Sequence, residues 1–347
     1  MTTTGSRSIL ISNTEVGWAK GMSEAASKRV WGQEQIVLAL AVLLFVSAAI
    51  FLPGFLAANN LISIVRSVSV LGILAVGMAI VIIGRGIDLA AVSIMAMSAA
   101  WYLQMLNDGT AEWTALALVV FGVLLIGLTN GFLIAYADVP PIFATLASGL
   151  FVFGYVRSQL ITQDAVPVPS GHWLETVGRA RLSGIPSEVF IFAVLAFVAY
   201  LFLRYTKWGR YVYFMGDNYM AARNMGIPVR PMVLLRYGIS ALLALAAGLL
   251  TAASIHSINT RIVNQPVLYD IILVVVIGGI GLNGGRGGMR NVIVGAMLIG
   301  IMLNAMTILD ISNIYQNLIK STILLIAIIV DSLLNPRDEQ TAQQGDI

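Results

Sequence analysis

The chain contains no cysteine and only two histidines, His172 and His256. The first absence excludes disulfides, thiolate nucleophiles and cysteine-ligated metals, and the second leaves too few imidazoles for a histidine-rich metal site. Charge is scarce as well. Asp, Glu, Lys and Arg make up 11% of the 347 residues, against about 25% in a soluble globular chain. A surface in water needs that missing charge. With 58% hydrophobic residues and a mean hydropathy of +0.88, most of this surface faces lipid instead. The formal charge of +3 is spread thinly, with no dense basic patch carrying interleaved aromatics, so nucleic-acid binding has no footprint here. The glycine-rich run Gly284-Gly285-Arg286-Gly287-Gly288 lacks the Lys and Ser/Thr of a phosphate-binding loop and reads as a tight turn. No His/Glu metal motif or nucleophile constellation is present, and no cofactor is expected. The first 35 residues hold no short apolar run followed by a small-residue cleavage site, so no secretory signal is expected there. Residues 14–30 fit either a surface amphipathic helix or a cytosolic tail.

What the chain does have is long apolar runs. A helix needs about 20 apolar residues to cross roughly 30 Å of hydrocarbon. That ruler gives about ten segments: 36–56, 61–83, 88–106, 113–136, 142–161, 186–204, 232–255, 266–282, 289–309 and 312–333. Breaks such as Pro53-Gly54, Asn107-Asp108-Gly109 and Pro140-Pro141 separate them, and the connections around Arg85 and Arg286 are either turns or re-entrant. The expected fold is therefore an all-α polytopic bundle over residues 36–333, with tails at 1–35 and 334–347. Lys and Arg set its orientation. Lys20, Lys28, Arg29, Arg85, Arg286, Arg290 and the cluster Arg204, Lys207, Arg210, Arg223, Arg230 and Arg236 share one side. Arg179, Arg181 and Arg261 lie on the other. Both termini and the segment 205–231 are thus expected in the cytosol, and 162–186 outside.

Segment 205–231 is longer and richer than an ordinary connection. Asn218 suits a helix N-cap, Ala221 and Ala222 favour helix, and Gly226 suits its stop. Small residues on a short exposed helix let another protein approach closely; a basic loop that only anchors topology is the alternative. Gly216-x-Asn218-x-x-Ala221-Ala222-x-x-x-Gly226-Ile227 resembles the cytoplasmic coupling segment of ribose-type ABC importer permeases. The likeness continues in Gly84-Arg85-Gly86-Ile87-Asp88-Leu89-Ala90, in Asn130-Gly131-Phe132 with Val139-Pro140-Pro141-Ile142-Phe143-Ala144-Thr145, in Tyr269-Asp270 through Gly284-Gly285-Arg286-Gly287, and in Asn304, Tyr315-Gln316 and Lys320. In order and with compatible spacing, it covers about residues 36–333.

The resemblance implies a bacterial inner-membrane permease for a sugar or polyol. It would work with an ABC ATPase subunit that hydrolyses ATP on another chain, a periplasmic solute-binding protein, and a second permease subunit, identical or different, in the lipid bilayer. Gly216, Asn218, Ala221, Ala222 and Gly226 would then meet the ATPase. Neutral hydrogen-bonding groups suit a hydroxylated solute, which makes Asn130, Thr145, Asn304 and Gln316, with Lys320, candidates for the pathway; helix-to-helix bonding is the competing role for each. Asp88 is expected to pair with Arg85 at a span end, Asp270 to cap a helix, and Gly284 and Gly285 to pack closely. Arg66 and Arg157 are expected to snorkel. An ion-gradient-driven transporter is the rival reading, and it would want a carboxylate free at mid-membrane.

Overall fold

The computed structural model describes residues 33–334, so the N-terminal basic residues, the proposed helix at 14–30 and the C-terminal tail lie outside the described residues. The described chain is nearly all helix. In order it forms α1 (Gln33–Phe51), α2 (Ala58–Ile83), α3 (Ala91–Asn107), α4 (Glu112–Tyr136), α5 (Pro141–Tyr155), β1 (Ala165–Pro167), α6 (Trp173–Arg179), β2 (Arg181–Leu182), β3 (Ile185–Pro186) and α7 (Ser187–Tyr205). Then follow α8 (Lys207–Asp217), α9 (Tyr219–Asn224), α10 (Val229–Ile255), β4 (Ser257–Asn259), α11 (Val267–Gly278), α12 (Met289–Ile308) and α13 (Asn313–Leu334). A π-helical turn, Val156–Leu160, extends α5.

Among the described residues, seven helices are long and apolar enough to cross a membrane: α1, α2, α4, α5 with its π turn, α7, α10 and α12. The eighth expected segment, 266–282, is shorter than its hydropathy suggested. Helix α11 has 12 residues, about 18 Å at 1.5 Å per residue. It stops because Gly279 turns left-handed at φ +103° and its amide closes on Val275 and Val276. The third expected segment also starts later, at Ala91, since Gly84–Ala90 forms a non-helical connection.

Helix α2 is the axis of the bundle. From Leu71 to Ile83 every residue is buried, enclosed by α7, α10, α11 and α12. Helix α10 packs against α2, α3 and α4, and its closest neighbour is α4. Small residues make that approach possible, as membrane helices lack a hydrophobic drive toward one another. A methyl on Gly131 of α4 would come within 2.6 Å of the Leu234 Cα on α10. Outward-facing leucines, valines and phenylalanines on α1, α4, α5, α7 and α13 are exposed, as a lipid-facing rim requires.

The two ends of the bundle differ. At one end, segment 161–186 is a small folded cap rather than a loop. Strands β1 and β4 pair antiparallel, with Val166 opposite Ile258, and β2 pairs with β3 across the turn at Ser183-Gly184. Asp164 ties this cap down, accepting from Arg157 at 2.7 Å and Arg261 at 2.8 Å. The hydrogen bond from Arg261, with both positive charges beside it, holds the Asp164 carboxyl below its usual range. Arg157 is therefore paired rather than snorkelling. The opposite end carries α8, α9 and the glycine-rich connection 279–288.

Candidate functional site

Three connections meet at that second end. Helix α8 begins at Thr206, whose hydroxyl accepts the Gly209 amide at 3.0 Å. It folds back against the end of α7, where only a glycine at 209 avoids the Phe202 carbonyl. Its last turn brings Gly216 onto the backbone of Ile83, the final residue of α2, and of Gly285. Those two groups are themselves bonded, Gly285 N donating to the Ile83 carbonyl at 2.8 Å. Tyr213 on α8 donates to the Gly287 carbonyl at 2.8 Å, and Arg85 Nε donates to the Asn283 carbonyl at 3.2 Å. Connection 84–90, connection 279–288 and helix α8 are thus stitched together by backbone contacts.

Connection 84–90 is pinned from its other side as well. Asp88 is fully buried, accepting from the Ser240 hydroxyl at 2.7 Å and the Ala90 amide at 3.1 Å. Tyr237 donates its hydroxyl to the Ile87 carbonyl at 3.2 Å, and Arg236 donates to the Gly84 carbonyl. Thr145 accepts the Leu89 amide at 3.1 Å and donates to the Pro141 carbonyl at 2.7 Å. A peptide segment without helix or strand must find such partners inside a membrane protein.

The other end holds a cavity of about 690 Å³ among α2, α10, α11 and α12. Its polar lining includes Ser63, Arg66, Thr251, Ser254, Asp270 and Asn304. Two of its three charged lining residues are already paired, and the third, Arg181 of β2, is exposed and forms no ion pair among the described residues. Arg66 Nε lies 3.2 Å from Glu188, which is fully buried and also accepts from Ser254 at 2.7 Å. Asp270 lies 2.8 Å from Lys320 Nζ, joining α11 to α13. Asn304 and Asn60 exchange hydrogen bonds at 2.8 and 3.1 Å. Among the described residues no cluster of His, Cys, Asp or Glu could hold a metal ion.

The family model described as "Branched-chain amino acid transport system / permease component" matches residues 60–328. The chain is 30% identical over 312 residues to the ribose import permease protein RbsC of Escherichia coli (strain K12), covering 88% of this chain and 95% of the relative. The chain belongs to the ribose-type ABC importer permease family. Bacillus subtilis (strain 168) RbsC is 32% identical over 293 residues, covering 83% of this chain and 89% of that protein. The L-arabinose transport system permease protein AraH of Escherichia coli (strain K12) is 29% identical over 310 residues, covering 87% and 91%. No solved structure matches. Membership and the long apolar helices together make the chain a multi-pass inner-membrane permease subunit, not an enzyme in its own right.

Within this permease the expected site residues separate into distinct places. Asn218 caps α9, its side chain accepting the Ala221 amide at 2.9 Å, and Gly226 follows at φ +79°. Ala221 is exposed, but Ala222 is 0% exposed and points into the bundle, so only one of the alanine pair is presented outward. Gly216 is buried against the core, and Gly284 and Gly285 are half-buried in the same junction. Of the pathway candidates, Asn304 lines the cavity and Lys320 reaches it through Asp270, which does more than cap α11. Thr145 holds connection 84–90 instead, and Gln316 donates to the Ile311 carbonyl at 2.8 Å to close the α12–α13 turn. Asn130 is buried on α4, away from the cavity lining, and its amide has no hydrogen-bond partner among the described residues.

Besides that of Arg157, three expectations about charged residues change. Asp88 is satisfied by Ser240 and Ala90 rather than by Arg85, because it is buried beside α10. Arg66 does not snorkel; Glu188 meets it. Arg236 does not join the solvated basic cluster, being 3% exposed and turned onto Gly84. Glu188, Ser240 and Tyr237 were missed outright. The acid of Pro186-Ser187-Glu188 looks like ordinary first-turn chemistry, and the other two sit in an apolar run without distinction.

Proposed function

We propose that this permease imports a sugar or polyol, driven by a separate ATPase that docks on α8 and α9 from the cytosol. The observation that carries the reading is the seat of Gly216 on the backbone of Ile83 and Gly285. A push on α8 has no soft layer to compress there, so it reaches the end of α2 and the glycine-rich connection directly. On this reading ten spans cross the membrane, both termini are cytosolic, and the 690 Å³ cavity opens outward beneath the cap formed by 161–186. A soluble binding protein would deliver solute to that cap. A second permease, a copy or a different chain, would cover part of the exposed apolar rim, with lipid on the remainder.

Hydroxylated solute suits the cavity because serines, threonines and asparagines line it, while Arg66 and Asp270 are already neutralised by Glu188 and Lys320 and the exposed Arg181 is its only lining charge without an ion pair among the described residues. A zwitterionic amino acid would want an unpaired charge of each sign. The relatives named for ribose and arabinose point the same way. One observation favours the rival, ion-coupled reading: Asp270 is an acid inside the bundle at the cavity wall. Its partner lysine at 2.8 Å argues against free proton exchange.

The test uses proteoliposomes containing the permease and its ATPase. Ala221→Arg, on the exposed face of α9, should abolish ATP-driven uptake and ATPase co-purification while leaving insertion and thermal stability unchanged. Uptake that survives without any ATPase and collapses with a protonophore would overturn the reading.

A further inference from the structure

A second cavity, about 420 Å³, lies at the α8 end of the bundle, between the start of α1, the end of α7, α8 and the start of α12. Its polar lining includes Arg204, Arg210, Arg290, Glu34, Tyr200 and Tyr213. Neither the coupling contacts nor the outer cavity uses Arg204, Arg210 or Arg290. Among the described residues none of these guanidiniums forms an ion pair, so three positive charges converge on one cleft against a single carboxylate. Arginines crowded this way repel one another, and a cleft that gathers them gains when an anion enters. Arg204 is also held in place, stacked 5.9 Å from the rings of both Tyr200 and Tyr205.

The depth of the cleft selects the kind of anion. Arg204 lies in the last turn of α7, and the face of that helix above it is exposed and apolar through Val194, Phe197, Val198 and Leu201. Tyr205 and Trp208 flank the same level, as interfacial aromatics do. A phosphate placed among the three arginines would therefore have acyl-binding surface directly over it. We infer that this cleft binds the phosphate of an anionic phospholipid of the cytoplasmic leaflet, with its chains lying along α7. A free phosphate ion shares the chemistry but would leave the apolar face unused.

The experiment takes the full chain in detergent and titrates phosphatidylglycerol, phosphatidylcholine and inorganic phosphate separately. Bound molecules are counted by native mass spectrometry, and the unfolding midpoint is followed in parallel. Each surface arginine contributes about fivefold to binding of an anionic lipid. R204Q/R210Q/R290Q should thus weaken phosphatidylglycerol binding about a hundredfold, while the triple lysine variant retains most of it. E34Q, which removes the one opposing charge, should tighten binding about fivefold, a gain that misfolding cannot imitate. Equal phosphatidylglycerol binding by the wild type, the glutamine triple and E34Q would overturn the site. Stabilisation by inorganic phosphate that displaces the lipid would overturn the lipid assignment and leave a soluble anion as the ligand.

Discussion

Replacing Gly216 by alanine tests the coupling junction most directly. The new methyl would fall well inside contact distance of the Ile83 carbonyl oxygen and the Gly285 nitrogen, with Gly285 Cα at 3.0 Å. All three are backbone atoms, so no side chain can swing aside. Overpacking of this kind costs about 1–3 kcal/mol. Forcing apart the Gly285–Ile83 hydrogen bond leaves the buried Ile83 carbonyl and the half-buried Gly285 amide unpaired, at about 1–3 kcal/mol more. Alanine returns about 1 kcal/mol through its better helix propensity in α8, so the net penalty is roughly 1–5 kcal/mol. It falls on the seam between α8 and α2 rather than on the outer cavity. The expected result is a lowered unfolding midpoint and ATP-driven uptake reduced at least tenfold, with insertion retained. Gly226→Ala is the control. It also adds a methyl in the coupling segment, but nothing lies within 4 Å and only its φ of +79° is penalised, at about 1–2 kcal/mol. Should Gly216→Ala match the wild type in both stability and uptake, the seam carries no force and the coupling argument fails.

Lys320→Met strands Asp270 as an unpaired acid at the cavity wall. Breaking a buried pair from one side costs about 3–5 kcal/mol, so the unfolding midpoint should drop sharply, and D270N/K320M should recover most of it. His172 supplies a pH dependence. Burial pushes its pKa below the ordinary 6.5, outweighing the raising effect of Glu112. The unfolded chain then binds more protons than the folded one below pH 6.5, so stability is full above that value and falls as pH drops through the folded pKa. The neutral ring also accepts the Leu174 amide through Nδ1 at 3.3 Å, capping α6. Proteolysis within 161–186 should quicken between pH 7.5 and 5.5, and H172N, able to cap but not to titrate, should flatten that dependence.

Sequence reasoning works where the signal is local. Every expected apolar segment contains a helix, because a run of apolar residues has few other solutions in a bilayer. The Asn218 cap and the Gly226 stop were likewise legible, since each acts within four residues. The partners of Asp88, Glu188 and Arg236 were not. Ser240 lies 152 residues from Asp88, and Ser254 lies 66 from Glu188. Composition gives no pointer across such gaps, and a charge near the end of an apolar run looks interfacial whether it faces water or another helix. The inward turn of Ala222 was hidden for a related reason: α9 has six residues, too few for a hydrophobic period to declare its buried face. The pairing of β1 with β4 joins strands of three residues each, shorter than any alternation can mark.

The proposed coupling path follows from how these pieces share one helix. Helix α2 carries Ser63 and Arg66 in the cavity wall near its start, and ends at Ile83 under Gly216 and Gly285. Its 26 residues span about 39 Å, and its inner half is enclosed on all sides. A close-packed interior deforms little, so a helix held this way shifts or tilts as a body rather than bending. Arg66 then becomes informative. It bonds Glu188 of α7 and the Gly178 carbonyl of α6, so a shift of α2 strains the attachment between the cavity and its cap. Coupling at a distance requires an element with two arrangements that both sites bias. Helix α2 meets the geometric half of that requirement: one end is gripped by the segment proposed to meet the ATPase, the other by the cap proposed to meet the solute-binding protein.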